Sequence, residues 1–139
     1  MNIEIKECTI ENYKSTQLEE AIYNAEQNGF EVIHSEVDRL LLDLDDDKAL
    51  RTYEMVLPTV AETLELKEID RWKSKSGTGI HVVLSCKPLC FYARVALQAA
   101  LGSDPIRECL TVDRADNGLV EPSVLFKPPE GYVYGNCCE

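Results

Sequence analysis

Long hydrophobic runs are missing from this 139-residue chain; no stretch approaches the roughly 20 apolar residues that a membrane-crossing helix needs. The opening MNIEIKECTI also lacks the basic-then-apolar order of a secretory signal. A soluble, non-exported, cytoplasmic protein without a membrane partner is therefore expected. Positive charge is scarce, with 14 Lys and Arg against 25 Asp and Glu, a net charge of -11. Acidic surface repels phosphate, which argues against tight sequence-independent binding to a nucleic-acid backbone. No GxSxG elbow occurs, and His81 and Cys86 stand at odd spacing on an expected strand, so they point to opposite faces. A nucleophilic hydrolase is excluded on those grounds. Internal repeats, low-complexity blocks and linkers are absent too, and one domain spanning residues 1–139 is the natural reading.

Six cysteines are present, at positions 8, 86, 90, 109, 137 and 138. Their scatter fits reduced thiols in a cytosol better than a disulfide scaffold, and no two close pairs have zinc-ligand spacing.

Residues 15–29, STQLEEAIYNAEQNG, carry a capping serine, helically spaced Leu18, Ala21, Ile22 and Ala25, and a glycine stop. FEVIH reads as a short strand. VDRLLLDLD reads as a buried strand whose alternating end sets Asp43 and Asp45 on one face. DDKALRTYEMVLPTVAETL is helical, with Asp46 and Asp47 in its first turn and Pro58 as a kink or break. LKEIDRWKSKS and GIHVVLS form a hairpin around SGTG, and PLCFYARVALQAALG forms a further helix. SDP starts a short turn, ECLTVD is taken as a strand ending at Asp113, RADNG as a turn and SVLF as a last strand. This order predicts an α+β domain, an RRM-like sheet with helices packed mainly on one face.

Two stretches carry chemistry. In LLLDLDDD, two carboxylates two residues apart on one strand face can share a hard divalent cation such as Mg²⁺ or Mn²⁺. The bland alternative is an acidic strand end leading into an acidic helix start, for which capping alone would justify Asp46 and Asp47. In RWKSKSGTGIHVVLSC, the amides of a glycine-rich turn can form an anion nest, Ser76 and Thr78 add hydroxyls, and His81 can reach a phosphate oxygen. A plain hairpin and a half-buried strand histidine compete with that reading, while His34, without such company, is read as structural. Arg71, Lys73 and Lys75 alternate and so share a strand face, either as an anion-steering stripe or as a solvated edge that discourages aggregation. Across residues 66–87, five basic residues face only two acidic ones, so an anionic ligand belongs there. Arg107 either approaches this site or forms a local turn pair with Asp104, and Asp113 is the candidate third carboxylate.

Asp43 and Asp45 in LLLDLD, Ser76 and His81 in SKSGTGIHVVL, and Asp113 in TVD resemble the catalytic core of the archaeo-eukaryotic primase, or primase-polymerase, superfamily. The likeness spans residues 39–114, with SGTGIH its most specific part. It implies an RRM-like core, nucleotidyl transfer assisted by Mg²⁺ or Mn²⁺ at Asp43, Asp45 and Asp113, and contact of Ser76 and His81 with the phosphates of an incoming nucleotide. Gly77, Thr78, Gly79, Lys73, Lys75 and Arg107 join them as expected nucleotide-binding residues. The compact form, with QAALGSDPIRE after the histidine strand, also looks like small proteins of phages and mobile elements, which would place it in host cytoplasm.

Two functions follow. One is a minimal primase-type nucleotidyltransferase acting on nucleoside triphosphates, with a nucleic-acid template or replication proteins as partners. The other is a non-catalytic module that captures a nucleotide or oligonucleotide. An acidic mimic of nucleic acid accounts for the net charge but leaves RWKSKSGTGIH unexplained.

Overall fold

The computed structural model describes residues 10–134, and side chains from residue 18 onward. The elements run α1 (Ile10–Gln27), β1 (Glu31–His34), β2 (Arg39–Leu44), α2 (Asp47–Leu64), β3 (Lys67–Lys73), β4 (Ile80–Ser85), α3 (Phe91–Ala100), α4 (Pro105–Asp116) and β5 (Val124–Lys127). The class is α+β, with two small antiparallel sheets: three strands in the order β2-β4-β3, and a ribbon of β1 with β5. The β2-α2-β3-β4 sequence with β4 central is compatible with part of an RRM-like sheet.

Strand alternation divides the core. Leu40, Leu42, Leu44, Val82 and Leu84 face one way and pack with Tyr53 of α2 and Leu97 of α3. Leu41, Val83 and Trp72 face the other way and meet Leu125 and Ile33 of the ribbon. The Trp72 indole also donates to the Phe126 carbonyl at 3.1 Å, docking the ribbon on the sheet. Helix α2 is positioned by Asp46, whose side chain accepts from the Ala49 amide at 2.8 Å. It continues through Pro58 to Leu64, so the expected break there does not occur. Helix α1 starts at Ile10, which places Ser15 inside the helix instead of at its cap.

Among the described residues the outer edge of β2 has no strand beside it. Its amides are satisfied by side chains of the α3–α4 region instead: Leu41 donates to Gln98 Oε1 and Asp43 to Ser103 Oγ, both at 3.0 Å. Glu108 ties these two acceptors together, taking a 2.7 Å bond from Gln98 and a 2.9 Å bond from Ser103. Buried polar groups in such a network must be satisfied together or not at all.

ECLTVD is helical, which corrects the expected strand. Asp104 caps α4 by accepting from the Ile106 amide, Pro105 occupies the first turn, and buried Glu108 and Thr111 fall at helical spacing. Cys8, Cys137 and Cys138 lie outside the described residues; Cys86, Cys90 and Cys109 are free thiols. Among the described residues no helix is long and apolar enough to cross a membrane.

Candidate functional site

The register of the three-stranded sheet sets Asp43, His81 and Trp72 side by side, as direct cross-strand partners on adjacent strands. His81 Nε2 lies 3.3 Å from Asp43 Oδ1, and the indole of Trp72 meets the imidazole edge-to-face at 5.6 Å. The two sequence stretches thus converge through pairing of β2 with β4.

Asp45 follows β2 and is exposed. Its carboxyl is pushed above the ordinary range by partial burial and by the charges of Asp43, Asp104 and Asp46, with His81 opposing. Asp104 reaches this corner because its amide donates to the Asp43 carbonyl at 2.8 Å. It is the carboxylate that sequence reasoning set aside as half of a turn pair. Asp113, expected as the third carboxylate, lies nine residues further along the same helix, about 13 Å by helical rise. Asp113 therefore does not join the Asp43–Asp45 corner, and its expected role there is corrected.

The turn between β3 and β4 explains its two glycines differently. Gly77 has φ +78°, in the left-handed region that favours glycine, with open space around it. Gly79 is needed for contact: a Cβ there would lie 2.7 Å from the Leu44 carbonyl oxygen and 3.2 Å from Asp45 Cα. The turn therefore presses directly against the end of β2.

Much of the expected anion nest is occupied internally. The Gly77 amide donates to the Ser74 carbonyl, the Gly79 amide to Ser74 Oγ and the Thr78 amide to Ser76 Oγ. Ser74, Ser76 and Thr78 form a hydroxyl chain with two 2.9 Å links. Three hydroxyls making two bonds leave one O–H uncommitted.

The expected basic stripe divides at this turn. Arg71 and Lys73 belong to β3, on the face opposite Trp72. Arg71 is held by Glu68 at 2.7 Å, and its guanidinium sits 5.9 Å from the Tyr53 ring centre. Lys75 lies on the turn and lines a cavity shared with His81. Arg107 donates to Glu108, Ser123 and the Val124 carbonyl at 2.7 to 3.2 Å, tying α4 to the start of β5. Its expected contact with the nucleotide is thereby corrected to a structural one.

That cavity encloses about 540 Å³, within the range of small-molecule sites. On one side α1 presents Ala21, Asn24 and Ala25, a single helical face, and the turn after it adds Asn28. Phe30, Phe126 and Tyr132 supply aromatic wall, with Phe30 and Tyr132 in edge-to-face contact at 5.2 Å. Sequence reading missed it because its walls come from segments a hundred residues apart.

Among the described residues no three His, Cys, Asp or Glu groups form a ready-made metal cage. The donor set still suits Mg²⁺ or Mn²⁺: these ions commonly take one or two protein carboxylates and complete their shell with water and substrate phosphates. The mutual repulsion at Asp45 is also what a cation would relieve.

Comparison with models of protein families, with curated proteins and with solved structures finds no match for this chain.

Proposed function

We propose that this domain binds a nucleoside triphosphate together with a divalent cation and acts as a minimal nucleotidyltransferase of primase type. The observation that carries the reading is the position of His81, the side chain that both lines the aromatic cavity and contacts the Asp43 carboxylate. A base fits the apolar part of the cavity, where aromatic rings favour its π-face. Lys75 supplies positive charge at the same cavity for the phosphates. Asp43 and Asp45 are the carboxylates that would share the cation, with water and substrate phosphate completing its shell, while Asp104 adds negative charge at the same corner. When bound, a divalent cation neutralises charge on the phosphates and on the leaving pyrophosphate. The remaining turn hydroxyl adds one donor, and Asp43 fixes the imidazole of His81.

The non-catalytic capture reading is favoured by one observation, the distance of Asp113 from the carboxylate corner. The two differ in product, since both require nucleotide binding. A nucleic-acid mimic is less well supported, because Asp43 and Asp45 converge on His81 instead of spreading over a continuous surface.

Calorimetric titration of nucleoside triphosphates with and without Mn²⁺ tests the reading on wild type, Asp45→Ala and His81→Ala. Metal-dependent binding that weakens in both variants is expected, followed by templated or untemplated primer synthesis by wild type. Binding without product would select the capture module. No binding of any nucleoside triphosphate to folded wild type would refute both.

A further inference from the structure

Two carboxamides project from α1 and the turn that follows it into the cavity, and their states differ. Asn28 Nδ2 donates to the Asn24 carbonyl at 2.7 Å. A carbonyl can only accept, so this bond fixes the orientation of the Asn28 amide and leaves Oδ1 as the free end of that side chain. The Asn24 side chain makes no hydrogen bond among the described residues and lines the same cavity one helical turn earlier. It can offer a donor and an acceptor side by side.

From this pair we infer that the site discriminates between bases, preferring nucleotides with an amino group where guanine and uracil carry a keto oxygen, and adenine above all. The inference rests on the nucleotide-binding reading and specifies its substrate. An exocyclic amine has two N–H donors, which the oxygens of Asn24 and Asn28 can both accept. The ring nitrogen beside it accepts from Asn24 Nδ2, the bidentate pairing of carboxamide with adenine. Adenine offers such an acceptor on either side of its amine, so both of its edges suit the pair. A keto oxygen in the same place would face Asn28 Oδ1, acceptor against acceptor, and forfeit the hydrogen bond that the amine makes there. Ala21 and Ala25, on the same helix face, leave room for the base beside the amides, and Phe30 and Phe126 offer ring surface.

The test compares ATP with inosine triphosphate, in which the amine becomes a keto oxygen and N1 becomes an N–H donor, on wild type and Asn24→Ala. Asn24 is exposed within a helix, where alanine is the best helix former. Wild type should bind ATP at least roughly tenfold more tightly than inosine triphosphate, and Asn24→Ala should narrow that gap by weakening ATP more. Equal affinities in wild type would overturn the base preference while leaving nucleotide binding intact. A preference undiminished in Asn24→Ala would overturn the role given to the carboxamide. Failure of both nucleotides to bind folded protein would remove this inference and the reading beneath it.

Discussion

Replacing Gln98 by leucine removes the acceptor that stands in for a missing strand at the edge of the sheet. Gln98 is 2% exposed, as is Ser103, and Leu41 is fully buried, so water cannot substitute freely. The Leu41 amide loses its partner, and Glu108, itself buried, loses the 2.7 Å bond from Gln98 Nε2 while keeping those from Ser103 and Arg107. Each orphaned group costs about 1–3 kcal/mol, so the pair should cost about 4 kcal/mol. Leucine is similar in volume to glutamine, and little cavity term is added. A domain of this length has a net stability of about 7–20 kcal/mol, and its unfolding entropy converts the loss into a fall in Tm of about 14 °C. Urea and thermal denaturation followed by circular dichroism would measure both. Because Asp43 lies two residues beyond Leu41 on the same edge, nucleotide affinity should fall as well. A loss below about 1 kcal/mol would refute the claim that this network holds the edge of β2.

Asp45→Asn should stabilise the protein at neutral pH. Burial and neighbouring carboxylates raise the Asp45 carboxyl above its ordinary value of 3.8, so the folded state retains a proton that the unfolded state has lost. Stability therefore falls as pH rises from that value through the raised one. The advantage of the asparagine variant should vanish at pH 3, and urea titrations at pH 3 and 7 that show no difference at pH 7 would contradict it. Gly79→Ala forces a Cβ against the Leu44 carbonyl oxygen and should cost about 1–3 kcal/mol. It should also weaken Mn²⁺ binding measured by calorimetry, by displacing Asp45, whereas Gly77→Ala should cost about 1–2 kcal/mol and leave Mn²⁺ affinity alone; equal effects on the metal would rule out the close-contact argument. Trp72→Phe removes the indole bond to Phe126 and should cost about 2 kcal/mol in urea denaturation, with faster hydrogen exchange in β1 and β5. Unchanged exchange there would mean that the ribbon is docked by other contacts.

The sequence by itself determined those elements whose local pattern and tertiary role agree. Leu40, Leu42 and Leu44 of LLLDLD form one layer of the core while Leu41 and Asp43, at the alternate positions, face the other way. SGTG between two strands is a hairpin turn, and the pairing of β3 with β4 follows from it. The nearness of Asp43 to His81 was foreshadowed by the resemblance alone, because nothing local fixes the register of β2 against β4, strands separated by a helix and a third strand.

Tertiary structure alone decided the rest. ECLTVD contains β-branched residues that suit a strand, yet the cap at Asp104 and the burial of Glu108 against Gln98 and Ser103 make it helical. That choice carries Asp113 away from the carboxylate corner and brings Asp104 in by its amide bond to Asp43. Arg107 faces Ser123 and Val124 for the same reason. The cavity needs α1, the β3–β4 turn and β5 together. The pairing of Asp43 with Asp104 and the meeting of Phe30 with Tyr132 join residues 61 and 102 positions apart and leave no periodic trace in the chain, since each partner satisfies its local pattern equally well with or without the other.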